Sequence, residues 1–200
     1  MNPSRIVITG TIASGKSSLC EILRKKSYQV ISADKVNKKL LEVDGLNYGA
    51  IRDSNLFDEA FSKEGLLDKK LLAKIIFNDK KKREILNKIS HKNIIDYINE
   101  KINKSKDDFV FVEIPLFFQM KETFPHDYVW LVKASRDVQI SRLMKRDKIG
   151  KDYAIKKIKS QNEDIMVKSS DFVFDNSKDL ESLEKQVDKA LMGLEKKWKL

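Results

Sequence analysis

The chain has 200 residues, 41% hydrophobic and 35% charged, which suits one domain or one domain carrying a modest insertion. Its apolar runs fall far short of the roughly 20 residues of a membrane helix, and no basic stretch followed by an apolar one opens the chain, so a cytoplasmic protein without a membrane partner is expected. Lys plus Arg number 40 against 30 Asp plus Glu, for a net charge of +10, and this excess implies an anionic partner, either nucleic acid or a phosphorylated small molecule.

Residues 6–9 read as a short buried strand, and Gly10 to Ser14 break it before the helical pattern of Leu19, Ile22 and Leu23. Between them Gly10, Thr11, Ile12, Ala13, Ser14, Gly15, Lys16 and Ser17 fit G-x-x-x-x-G-K-[ST], in the strand–loop–helix context that its mechanism demands. Successive N–H groups of such a loop face phosphate oxygens, and the helix N-terminus adds partial positive charge. Gly10, Ile12, Ala13, Ser14, Gly15, Lys16, Ser17 and Ser18 are therefore the expected nucleotide-binding residues, with Lys16 reaching the β- and γ-phosphates and Ser17 ligating Mg²⁺. In this composition the pattern arises by chance with a probability of roughly 0.004. Cys20 stands alone, which excludes an internal disulfide framework, and it is expected to pack as a small apolar residue.

Residues 28–31 form a second apolar run ending at Ser32, Ala33 and Asp34, after which Val36, Leu40 and Leu41 take helical spacing. Asp34 has two readings from position: a base that accepts the proton of an acceptor hydroxyl at the carboxyl end of a parallel strand, or a helix N-cap. From 68 to 103 one long 3.6-residue periodicity interrupts the alternation, and its lysine runs read as solvated helix faces. Strand character returns in 109–114, where four apolar residues lead to Glu113, a pattern that places a carboxylate near Mg²⁺ and that can also arise by chance. It returns again in 128–132 and 171–174, with helical patterns at 138–145, 153–165 and 180–194. Gln139, Arg142 and Arg146, at i, i+3 and i+7 of one predicted helix, share a face. The two arginines are read as phosphate-neutralising forks, against the alternative of a solvated basic face paired to Asp137 or Asp147.

Strands alternating with helices argue an α/β fold: a doubly wound parallel five-stranded sheet. The expected organisation is a single domain over 1–200, with core segments 1–61, 107–135 and 169–200, a helical substrate cap over 62–106 and a lid over 136–168. No Asn-Lys-x-Asp guanine signature is present and the chain is too short for a helicase, which leaves a small-molecule kinase.

Together these motifs, in this order, resemble the dephospho-coenzyme A kinase family over nearly the whole chain. Residues 8–17 resemble its P-loop, with Thr11 and Ala13 at two usual glycines, and Ser32-Ala33-Asp34 resembles its Asp-Ala-Asp with the second acid retained. Residues 86–91 resemble its Leu-x-x-Leu/Ile-x-His-Pro segment, with Lys92 replacing the proline, and 114–119 its Pro-Leu-Leu-Phe-Glu run, with Gln119 at the usual Glu. Residues 139–147 resemble its lid helix, Gln161 its Ser-Gln helix, and 171–176 its strand and adenine loop.

The resemblance implies a P-loop kinase fold and Mg²⁺-dependent transfer of the γ-phosphoryl group of ATP to the ribose 3′-hydroxyl of dephospho-coenzyme A. It implies Asp34, Lys16 and Arg142 as catalytic residues, Arg142, Arg146 and Asn176 as further ATP contacts, and Ser17 with Glu113 for the metal. Asp34, His91, Pro115, Leu116 and Phe117 are its implied acceptor contacts. A monomer or weak oligomer is expected, and nucleic acid is not an expected partner. The competing readings are a nucleoside or sugar kinase on the same scaffold and, more remotely, a basic nucleic-acid-binding protein with a regulatory P-loop.

Overall fold

The computed structural model describes residues 3–120 and 123–198, which fall into two compact units, 1–30 with 105–200 and 31–104. The strands are β1 (Ser4–Gly10), β2 (Gln29–Ser32), β3 (Phe109–Glu113), β4 (Tyr128–Lys133) and β5 (Phe172–Asp175), in one sheet of order β2-β3-β1-β4-β5. β1 pairs in parallel with β3 and β4, and β4 with β5. Chain order runs to one side of β1 through β2 and β3 and then to the other side with β4. The reversal at β1 makes the carboxyl end of that strand the crevice where ligands of open α/β sheets bind.

In the first unit the period-two alternation of the strands sends Ile6, Ile8, Phe111, Trp130, Val132 and Phe174 to one face. That face is covered by α1 (Lys16–Lys25), through Leu19, Ile22 and Leu23, and by α9 (Leu180–Trp198), through Leu183, Val187, Leu191 and Leu194. The alternate residues Val7, Val112, Val129 and Leu131 are buried as well, which is why these strands are apolar throughout rather than alternating. Trp130 stacks between Phe111 and Phe174 at centroid distances of 5.0 and 4.9 Å.

Cys20 lies in this core, and its burial, reinforced by the negative charge of Glu113, pushes the thiol up to about 12. Dithionitrobenzoate at pH 8 is therefore expected to leave the folded protein unlabelled and to release one equivalent of thionitrobenzoate only in denaturant. Stoichiometric labelling of the native protein within minutes would contradict this placement.

The rest of the first unit is α6 (Arg136–Asp147), α7 (Lys151–Lys159) and α8 (Glu163–Lys168). The periodicity over 153–165 is one pattern in sequence but two helices in space, because Asn162 caps α8 by accepting from the Ile165 N–H. Ile140 and Leu143 of α6 pack on Ala154 and Ile158 of α7, with Ile12 and Ala13 against the same cluster. Asp147 pins the two helices, taking Arg146 Nε at 2.8 Å and Lys157 Nζ at 2.9 Å, and these cations hold its carboxyl down at about 2.

The second unit contains α2 (Ala33–Leu40), α3 (Leu46–Asp53), α4 (Lys69–Asn78) and α5 (Lys80–Asn103). The long periodicity is divided by Asp79, whose carboxylate caps α5 at the Lys82 N–H as Asp68 caps α4 at Lys70 and Leu71. Ile51, Phe57, Leu72 and Leu86 form its core. Where a cap over 62–106 is expected from sequence, the compact unit runs 31–104 and takes in α2 and α3, the latter a helix that its short, glycine-interrupted pattern conceals.

Candidate active site

The phosphate loop turns between β1 and α1 in a conformation that its residues strictly limit. Gly15 sits at φ +86°, and a Cβ there would collide with the Asn176 side-chain amide. At Gly10 a Cβ would come within 2.5 Å of the Val132 carbonyl oxygen. Ala13, standing where the resembled family has a glycine, also holds a left-handed backbone at φ +57°, at a cost of about 1–2 kcal/mol. That cost is offset where Ala13 packs on the α6–α7 cluster.

Side chains from distant segments hold the loop in place. Asn176 Nδ2 donates to the Ser14 carbonyl at 2.8 Å, and Arg142 Nη1 donates to the same oxygen at 3.3 Å. Gln139 Nε2 donates to Thr11 Oγ1, Gln161 Oε1 accepts the Ile12 N–H at 2.7 Å, and the Thr11 N–H reaches the Val132 carbonyl at 3.1 Å. Two donors on the Ser14 carbonyl satisfy that oxygen and fix the backbone around it, which preorganises the loop for phosphate.

This network refines several expectations. The Ile12 N–H is engaged by Gln161, the Ser14 N–H by the Thr11 carbonyl and the Ser18 N–H by the Gly15 carbonyl, so these three residues brace the loop and the candidate cradle is Ala13, Gly15, Lys16 and Ser17. Asn176, expected at the adenine, has a buried side chain whose Nδ2 donates to the Ser14 carbonyl. The shared face of α6 is divided in three: Gln139 is buried on Thr11, Arg142 reaches the loop, and exposed Arg146 is paired to Asp147. The loop-facing reading fits Arg142, and the solvated ion-pair reading describes Arg146.

Glu113 ends β3 opposite Ile8 of β1, beside the start of the loop, and the Ser17 hydroxyl lies in the first turn of α1. One hydroxyl and one carboxylate are the hard oxygen donors that suit Mg²⁺, which keeps several waters and takes its other oxygens from phosphates. No cluster of three or more acidic, His or Cys side chains occurs among the described residues, and this kind of site needs none.

Asp34 and His91 belong to the second unit. The cap position of α2 is Ser32, in extended backbone, and Asp34 follows within the first helical turn, so the N-cap reading of Asp34 is corrected. Asp34 is exposed and accepts no hydrogen bond among the described residues. A chain of amides centred on buried Asn47 fixes its helix: Asn93 of α5 donates to Asn47 of α3 at 2.9 Å, and Asn47 donates to Asn37 of α2 at 3.1 Å. The same α5 carries His91. Of the three acceptor contacts expected after β3, Pro115 and Leu116 line an open cavity, whereas Phe117 stacks edge-on against His126 at 5.0 Å.

The sequence reading gave the bracing roles of Gln139 and Gln161 no place. A polar residue at a core-facing helical position was the available signal for Gln139; Gln161 lies in a turn and offered none.

A parallel sheet with its phosphate loop at the topological switch, and basic helices over that loop, defines a P-loop small-molecule kinase. The dephospho-CoA kinase family model matches residues 5–182. A dephospho-CoA kinase of Fusobacterium nucleatum is 36% identical, covering 92% of this chain and 95% of its own. Among solved structures, a dephospho-CoA kinase from Campylobacter jejuni is similar with a TM-score of 0.68 and 29% identity, over 96% of this chain and 97% of that one. A Thermus thermophilus protein is similar with a TM-score of 0.81 and 27% identity, over 97% and 99%. The chain belongs to the dephospho-CoA kinase family, ATP-using transferases that phosphorylate dephospho-CoA in the last step of coenzyme A biosynthesis. No helix among the described residues is long and apolar enough to cross a membrane.

Proposed function

We propose that this chain forms coenzyme A and ADP from dephospho-coenzyme A and ATP, with the residue roles that follow. The observation that carries the reading is the phosphate loop whose Ser14 carbonyl is held by Asn176 and Arg142. Lys16 and the remaining loop amides hold the donor phosphates, and Arg142 offsets charge on the transferring group. Asp34 takes the proton of the ribose 3′-hydroxyl as its oxygen bonds to the γ-phosphorus, and the bond from that phosphorus to the bridging oxygen of ADP breaks. Ser17 and Glu113 would hold Mg²⁺, which would supply positive charge to offset that of the donor phosphates. The net charge of +10 agrees with two polyphosphate substrates. The reading includes a cytoplasmic location and a monomer or weak oligomer.

A coupled ADP assay with ATP and Mg²⁺ tests it. ADP release is expected to rise at least about a hundredfold over the ATP-only background on adding dephospho-coenzyme A, and to stay near background with nucleosides, sugars or DNA. A larger response to a nucleoside or sugar would replace the acceptor, and no response to any of them would overturn the kinase role.

A further inference from the structure

Eight-residue α2 carries Asp34 in its first turn, and the buried apolar side chains of this helix are Val36 and Leu40. They stand at i and i+4, one above the other, so they press α2 against its neighbours along a single line. Apolar contact of this kind is non-directional and resists sliding or rolling weakly. The placement of α2 in the second unit therefore rests on polar ties.

One tie is the amide chain through Asn47. This side chain is 0% exposed, in the first turn of α3, at a depth where apolar residues are the rule. Its Oδ1 accepts from Asn93 Nδ2 of α5 and its Nδ2 donates to Asn37 Oδ1 of α2, so one amide joins three helices. Asn37 stands one turn beyond Asp34 and Asn93 two residues beyond His91, so the chain spans the two expected acceptor-side residues of this unit. A second tie, from Lys39 Nζ to the Tyr97 hydroxyl at 3.0 Å, is exposed and lies at the other end of α2. A buried hydrogen-bonded amide adds little stability beyond an apolar side chain of the same shape. What it adds is direction: two bonds made by one fully buried group select one register of α2 against α3 and α5.

Resting on the base role read for Asp34 above, we propose that Asn47 is a positioning residue for phosphoryl transfer: through Asn37 and Asn93 it fixes the Asp34 carboxylate relative to His91. A general base acts only within hydrogen-bond reach of the proton it takes, and a displacement of about 1 Å can cost roughly a hundredfold in rate. Asn47 touches no substrate in this role and acts wholly through α2.

Asn47→Leu, close to Asn in size, removes both bonds and keeps the site filled. It is expected to lower kcat by at least about tenfold with KM for ATP kept, since the phosphate loop belongs to the first unit. The Asp34→Asn background separates positioning from general loosening: with no base left to misplace, adding Asn47→Leu is expected to change kcat by less than about twofold. Asn93→Ala, at a half-buried position, repeats the test with less risk to the fold, and a loss of about threefold or more is expected, again absent in the Asp34→Asn background. Tyr97→Phe, which removes the exposed tie, is expected to keep kcat within about twofold of the parent. Unchanged kcat in both amide variants would overturn the proposal, as would losses that multiply with that of Asp34→Asn or an equal loss in Tyr97→Phe. An Asp34→Asn protein as active as the parent would instead overturn the base reading, and the positioning role with it.

Discussion

Lys16→Ala is expected to lower turnover by roughly three orders of magnitude while the thermal midpoint stays within a few degrees of the parent. Its ammonium stands at the first position of α1, in the loop whose backbone is already fixed by Asn176, Arg142, Gln139 and Gln161. In the proposed role, its removal takes a full positive charge away from the transferring phosphates, and the loss of one preorganised donor alone costs about 10² to 10³ in rate. The fold does not depend on it: the apolar face of α1 is Leu19, Cys20, Ile22 and Leu23, all buried against the sheet. Steady-state ADP release and a thermal melt measure the two quantities. Turnover within threefold of the parent would remove the phosphate-loop assignment; a large drop in thermal midpoint would move Lys16 into the structural framework.

Asp34→Asn is expected to lose at least about a hundredfold in kcat, since a positioned base is worth roughly 10² to 10⁴ in rate and a carboxamide cannot accept the proton. A structural role would leave a different signature. Because Ser32 occupies the cap, Asp34 contributes to the fold only as a negative charge in the first turn of α2, which is worth about 0.3–1 kcal/mol. That is a small stability change with no reason to touch kcat. The amide chain Asn93–Asn47–Asn37 keeps α2 in place in the variant, so the loss is read as chemistry rather than displacement. ATP affinity, measured by calorimetry, is expected to be retained. An Asn variant within threefold of the parent would take the base role away from Asp34.

The sequence by itself determined the sheet, the phosphate loop and the family. Short apolar runs of β-branched and aromatic residues separated by helical periodicity leave few alternatives to parallel strands buried on both faces, as Ile6–Ile8 and Val110–Val112 are. The loop was legible for a local reason: its glycines, Lys16 and Ser17 act through backbone conformation and side chains within eight consecutive residues. Boundaries inside long periodic stretches were not legible, because the capping of Asp79 and Asn162 interrupts the backbone without interrupting the apolar spacing.

Only the tertiary structure decided which side chain does what around the loop. Gln139, Gln161, Arg142 and Asn176 lie more than a hundred residues from the groups they hold, and their sequence neighbourhoods carry no record of that meeting. It also separated residues that the 3.6 period makes equivalent: one face of α6 presents a buried amide, a loop-clamping guanidinium and a surface ion pair, because the loop covers only the first two turns of that face. Periodicity fixes which direction a side chain leaves its helix, and the elements packed there fix what it finds.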